Sequence, residues 1–359
     1  MTDQPERRRS RLRAWHWVVV GVAVVGLTGW MVWTGTGPET HLPPGTERIS
    51  DRKLWIAELA LSPNGKRLAY ATPVKPYVAS LEVLDLTTRQ TELIMQLGRK
   101  REPPFPFWLS DEALGYVESS YDWKDSKLFL PSSLSTPIVL AGIGRVWQVF
   151  GDPAKQTIFM MAHPSAPFSA ADSGLWEYGV GDATLNQIPS VASSGESVAR
   201  ASDGSNWVYF DMKRFSYVAC DRNLRRLAEI EDPRDLDGTE MTSHLALSPT
   251  GQELARVAWR ETARSRFFRR FDNPQISGAG IRGHIALRLY LAARVTEASV
   301  YNFETQEWTI LASFPGTGGE VVWHPDGKHL IVAADHHLWR VPLPPQLWAT
   351  PAPGYHEPP

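Results

Sequence analysis

Leu59-Ala-Leu-Ser-Pro-Asn-Gly-Lys-Arg-Leu-Ala-Tyr70 is a short apolar run, a Pro-x-Gly turn and a second apolar run. Proline presets φ for the turn, and glycine supplies the positive φ that closes a tight hairpin. The phrase returns at Leu245-Ala-Leu-Ser-Pro-Thr-Gly-Gln-Glu-Leu-Ala-Arg256 and at Val321-Val-Trp-His-Pro-Asp-Gly-Lys-His-Leu-Ile-Val332. Fainter copies sit at 108–116, 150–158 and 201–208. A second phrase follows the first: Val83-Leu-Asp-Leu-Thr-Thr-Arg-Gln90 matches Val300-Tyr-Asn-Phe-Glu-Thr-Gln-Glu307. Asp85 lies 20 residues after Gly65, whereas Asn302 lies 51 after Gly251, so the later copy carries an insertion of 31 residues. Each unit therefore holds about four strands.

Spacing turns the repeat into an architecture. Gly65 and Gly204 are 139 residues apart, which is three steps of about 46. Gly204 to Gly251 is 47, and Gly251 to Gly327 is 76, one step plus the insertion. Copies centred near 65, 112, 154, 204, 251 and 327 predict an all-β, six-bladed β-propeller of four-stranded antiparallel blades over residues 49–345. Residues 46–56 are positioned to add a strand to the last blade and close the ring, removing its exposed edges. The turn residues are Pro63, Gly65, Gly204, Pro249, Gly251, Pro325, Asp326 and Gly327.

The phrase resembles the TolB-type, WD-like β-propeller repeat, apolar-Ser-Pro-Asp-Gly-Lys followed by an apolar strand. The match is close at 61–70, 247–254 and 322–332 and loose in the middle units. The resemblance implies a propeller built for protein contact, often in bacterial envelopes, and no particular substrate. TolB itself carries an extra α/β domain and no helical tether, so its own partners are not carried over.

The chain has 359 residues, 37 Lys+Arg against 39 Asp+Glu, and Cys220 as its one cysteine. An internal disulfide and a cysteine-based zinc site are excluded, and near-neutral charge gives no footprint for nucleic acid. Residues 1–14 form a basic stub with Arg7, Arg8, Arg9, Arg11 and Arg13, and Trp15 to Trp33 then runs without a charge. At 1.5 Å per residue this run spans about 28 Å, close to a bilayer's hydrocarbon thickness. Trp15, Trp17, Trp30 and Trp33 mark its two ends as an aromatic belt. Residues 15–34 are therefore expected to be a transmembrane helix. The arginines hold the N-terminus inside, and the rest is placed in the periplasm or extracellular space. A cleaved signal peptide would have a shorter apolar core and a small-x-small exit. Residues 35–48 read as a Pro/Gly linker, and 346–359 as a Pro-rich tail.

Chemistry is harder to find. There is no Gly-x-Ser-x-Gly, no His-Glu-x-x-His, no phosphate loop and no dinucleotide fingerprint. Prolyl-oligopeptidase-type enzymes carry similar propellers, but their hydrolase domain has no counterpart here. No catalytic residue, cofactor or metal is therefore assigned. His324, His329, His336 and His337, with Asp326 and Asp335, crowd the last unit without a ligand-like spacing, and they read as surface residues. Trp147, Trp176, Trp207, Trp259, Trp308, Trp323 and Trp339 read as packing between blades. The insertion near 260–296 interleaves arginine with phenylalanine: Arg264, Arg266, Phe267, Phe268, Arg269, Arg270 and Phe271 form a candidate docking element for an acidic protein surface or anionic headgroups. The expected function is a membrane-anchored, non-catalytic binding or scaffolding module with an envelope or membrane protein as partner, and no small-molecule substrate is identifiable. The alternatives are a hydrolase or lyase at the channel mouth, served by acids such as Asp122, Asp125, Asp172, Asp211 or Asp235, and a small-ligand sensor. Two or three carboxylates and a histidine converging in the central pocket would favour the enzyme.

Overall fold

The computed structural model describes residues 20–22, 26 and 40–355, apart from 76–77, 99–101, 120–123, 134, 166–172, 193–194, 212–213, 215, 232–241, 263–264, 266–292, 317 and 353–354. Among the described residues no helix is long and apolar enough to cross a membrane. Val20–Val22 and Gly26 are helical; Trp15, Trp17, Trp30 and Trp33 lie outside the described residues.

The alternating apolar runs of residues 40–355 pair into six four-stranded antiparallel sheets. Blade 1 is Glu58–Leu61, Arg67–Lys75, Val78–Asp85 and Thr91–Leu97. Blade 2 is Phe105–Trp108, Leu114–Glu118, Ser126–Phe129 and Ile138–Leu140. Blade 3 is Ile143–Asp152, Thr157–Pro164, Gly174–Gly179 and Thr184–Ala192. Blade 4 is Gly195–Arg200, Asn206–Asp211, Ser216–Asp221 and Arg226–Glu231. Blade 5 is Thr242–Leu247, Glu253–Arg260, Val295–Asn302 and Glu307–Pro315. Blade 6 is Glu320–Trp323, His329–Ala334 and His337–Pro342, and its outer strand is Glu47–Arg48 from the other end of the chain. Ile49 N–H extends this seam by donating to Leu338 O at 2.8 Å.

The six repeat units are thus six like sheets. Gly65, Gly204, Gly251 and Gly327 occupy the turn after each unit's first strand, with φ of 72, 72, 71 and 68°. The second phrase is an Asx turn that joins the outer two strands: Asp85 Oδ1 accepts from Thr87 and Thr88 N–H, and Asn302 Oδ1 accepts from Glu304 and Thr305 N–H. The surplus in blade 5 falls between Arg260 and Val295. Its base is pinned by the Thr262 hydroxyl donating to Ala293 O at 2.6 Å and by Arg294 over the Trp259 ring at 3.5 Å. Arg264, Arg266, Phe267, Phe268, Arg269, Arg270 and Phe271 lie outside the described residues.

Apolar clusters fill the gaps between neighbouring sheets. Trp207 of blade 4 sits edge-on to Phe159 of blade 3 at 5.0 Å, and Trp339 of blade 6 lies 5.4 Å from Phe314 of blade 5. Trp308 of blade 5 lies 5.6 Å from Tyr217 of blade 4. Trp108 and Trp323 hold the same repeat position, and each indole donates to the preceding blade: to Ala60 O and Ala246 O, both at 3.0 Å. A buried ion pair, Arg200 Nη2 to Asp152 Oδ2 at 2.8 Å, joins blades 4 and 3. Trp147 lies on His163 of its own blade and also borders the apolar cluster shared by blades 3 and 4, whereas Trp259 packs beneath Arg294 of its own blade.

The proline-rich tail folds back on blade 6. Leu347 and Ala349 are buried, and Ala349 and Ala352 N–H donate to Gly327 O and Pro325 O at 2.9 and 2.7 Å.

Candidate functional site

First strands of neighbouring blades face one another around the axis and enclose a cavity of about 390 Å³. This volume suits a small metabolite or a dipeptide-sized group. Pro63, Pro153, Ser202, Pro249 and Pro325, all turn residues, form its rim. Its wall mixes Leu59, Leu61, Val198, Leu245 and Val322 with the Arg200–Asp152 ion pair.

Three further ionisable groups line the cavity near the start of their strands. Alignment of the strong repeats on their turn prolines places Glu58, His244 and Glu320 at one equivalent position, five residues upstream. Phe105, Gln148 and Ser197 occupy it in the other three blades. Successive side chains of a strand alternate between faces, so equivalent positions form one ring around the axis. Gln148 is spent on the seam between blades 3 and 4, donating to Val198 O at 2.7 Å and accepting from Val198 N–H at 2.8 Å. Blades 5, 6 and 1 supply the acidic arc: His244 Nε2 lies 2.7 Å from Glu320 Oε1, and one ligand atom from each of Glu58, His244 and Glu320 falls within 4.8 Å of the others.

Burial controls the protonation of this arc. It raises the Glu320 carboxyl well above the usual carboxylate range. Glu58 is raised by burial and then by the like charge of Glu320. Burial lowers the His244 imidazole, and Glu58 opposes that shift. Glu58 is only partly shielded from water, because it lines the open cavity, yet protein surrounds it on the remaining sides. Raised carboxyls beside a lowered imidazole favour a protonated acid next to a neutral base, the pairing that acid–base chemistry uses.

Of the loop aspartates proposed from sequence, the two described ones, Asp125 and Asp211, are not at this site. Asp125 Oδ1 accepts from Gly142 N–H at 3.1 Å and from the Ser165 hydroxyl, and Asp211 is buried at the end of its strand. Asp122, Asp172 and Asp235 lie outside the described residues. Signal for this arc was present in the sequence, one residue upstream of the phrase that defines the repeat.

Of the last-blade histidines, His336 is exposed as the surface reading expects, and the other three depart from it. His324, Asp326 and His337 are buried and His329 is half-buried. The tight turn causes this: His324 N–H donates to His329 O at 3.0 Å, which makes the two residues cross-strand partners. Both imidazoles then reach Asp326 Oδ2, at 3.0 and 2.6 Å, while Asp326 Oδ1 accepts from Lys328 and His329 N–H. His324 Nε2 donates to Gly65 O at 3.2 Å across the ring closure. These partners hold the Asp326 carboxyl far below the usual range despite its burial. Asp335 and His336 form the left-handed turn at the other end of blade 6, with φ of 49 and 60°.

No family model and no curated protein matches the sequence. Solved structures match the fold. TolB from Acinetobacter baumannii superposes with TM-score 0.53 at 13% identity over 77% of this chain and 59% of that one. A gluconolactonase from Xanthomonas campestris gives 0.53 at 10% identity over 86% and 96%. The Cps50 (Swd1) propeller domain of Myceliophteria thermophila gives 0.47 at 10% over 80% and 84%. At these identities the likeness is one of fold, and the protein is a six-bladed β-propeller with TolB among its structural neighbours.

Proposed function

We propose that the protein binds a small polar ligand in its axial cavity and acts on it by acid–base chemistry as a hydrolase or lyase, with Glu58, His244 and Glu320 as the reacting groups. The observation that carries this reading is the convergence of two carboxylates and one imidazole, from three successive blades, inside an open cavity. A neighbour set that spans a TolB and a gluconolactonase does not choose between binding and catalysis, since one fold hosts both. The test is a panel of esters and lactones offered to the purified full-length chain. Turnover is expected, with Glu320→Gln and Glu58→Gln each losing about a hundredfold or more at preserved fold. Turnover that survives both changes, or neither turnover nor any ligand-induced rise in melting temperature, overturns the reading.

The membrane placement belongs to the same proposal: residues 15–34 anchor the chain with its N-terminus inside, and the propeller works outside the cytoplasmic membrane. It rests on the uncharged 19-residue run and its tryptophan borders.

A second reading, docking to an envelope protein, is favoured by one feature of the rim. Leu93, Val139, Leu227 and Ile310, all on outermost strands, are more than half exposed. They place apolar area on the outer edges of four blades, which a partner's contact surface would bury. Replacing Arg266, Arg269 and Arg270 together with serine is expected to leave the melting temperature unchanged and to weaken pull-down of membrane partners. Unchanged pull-down removes the insertion from this reading.

A further inference from the structure

We infer that Glu58, His244 and Glu320 form a binding site for one zinc ion, with a fourth coordination position open to the axial cavity. This inference rests on the axial cavity being the functional site and goes beyond it in naming a metal; with zinc bound, the three side chains would be deprotonated ligands, and the ion would take over the acid–base role assigned above to the metal-free groups. Its basis is the donor set. Two carboxylate oxygens and one imidazole nitrogen from three different blades lie within 4.8 Å of one another. Around tetrahedral zinc, donors at 2.0–2.2 Å stand about 3.4 Å apart, so no pair must close by more than about 1.4 Å, within the reach of side-chain rotation. Three protein ligands plus one open position is the arrangement of catalytic zinc. Calcium would need 6–8 oxygens, more than this arc offers.

A second observation concerns what these groups lack. Among the described residues, no hydrogen-bond donor meets the Glu58 carboxylate, and Glu320 has only His244. Two acids pressed together in a ring of protein, with one histidine between them, repel each other unless a proton or a cation intervenes. A divalent ion removes that conflict, and the cavity provides its entry path.

The other clustered histidines do not fit a metal. At His324, Asp326 and His329, both Nδ1 atoms are turned onto Asp326, the second nitrogen of His324 serves Gly65 O, and Arg340 Nη2 stands 3.5 Å from Asp326 Oδ2. A cation there would meet N–H groups and a guanidinium.

The test is calorimetric titration of chelator-treated, full-length protein with zinc chloride, with a melting curve for every variant. One equivalent is expected to bind. Glu58→Gln and Glu320→Gln should each weaken binding at least tenfold while His329→Gln leaves it unchanged. Absence of saturable heat, or binding unaffected by both glutamine changes, overturns the site. The two proposals separate cleanly. Turnover that persists in chelated protein and disappears in Glu320→Gln removes the metal and keeps the acid–base site. One equivalent of zinc that depends on Glu58, with no turnover of any substrate, keeps the metal and removes the hydrolase.

Discussion

Asp326 shows how one side chain can serve the whole ring. Its carboxylate gathers two imidazoles and two backbone N–H groups, and one of those imidazoles reaches across to Gly65 of blade 1. Its folded pKa lies below the unfolded value. The stability it contributes is therefore fully present above about pH 4 and is lost as pH falls toward the folded value. Asp326→Asn should destabilise the protein at pH 7 by about 3 kcal/mol, since it leaves buried partners unmatched. It should also flatten the loss of stability between about pH 5 and pH 3. Urea midpoints across that range check both; a variant as acid-sensitive as the parent would assign the acid loss elsewhere. Gly65 is constrained on the same spot, because with φ of 72° an added Cβ would stand 2.7 Å from His324 Nε2. At this scale the sequence disclosed the turn but not the network. Pro325, Asp326 and Gly327 were legible as turn residues, because turn chemistry is local. The burial of His324 depends on blade 1 lying alongside, which no local pattern encodes.

At the scale of the strand, the closing seam bears the largest consequence. Glu47–Arg48 is only two residues long, yet it completes blade 6, and Ile49 beside it is buried against Leu338. Ile49→Asp should cost about 3 kcal/mol or more by placing an unpaired charge in that cluster. Leu93→Asp, on an outer strand already open to water, should change stability by less than about 0.5 kcal/mol. Guanidinium midpoints compare the two directly, and equal effects would mean that the seam does not hold the ring. Much of this level was readable. Hairpin phrase, Asx phrase and spacing yielded six blades and a closing strand within 46–56, because a period of 40–50 residues carries the topology with it. The axial arc was not read, because only superposition of the copies, extended one residue upstream, puts Glu58, His244 and Glu320 at one level. The loop aspartates drew attention instead for their charge, which says nothing about direction.

For the molecule as a whole, the axial arc is a liability that the rest of the fold carries. Glu58 and Glu320 have folded pKa values raised above their unfolded ones, so their contribution favours folding at low pH and is lost as pH rises through the folded values. In chelated protein, Glu58→Gln or Glu320→Gln should therefore raise stability at pH 8 by about 1 kcal/mol, because the amide carries no charge to bury. Melting temperatures of parent and variants at pH 5 and pH 8 test this, and a loss of stability at pH 8 would show that the carboxylates serve the structure.

Ring closure also sets a schedule. Glu58 leaves the ribosome among the first residues of the propeller, and Glu320 among the last, and Glu47–Arg48 must wait for His337–Pro342 before it can pair. A nascent chain cannot own the axial arc until nearly all of it has been translated. A truncated or stalled product, however well its early blades fold, lacks the assembled arc, so the chemistry proposed for it would begin only once synthesis is complete.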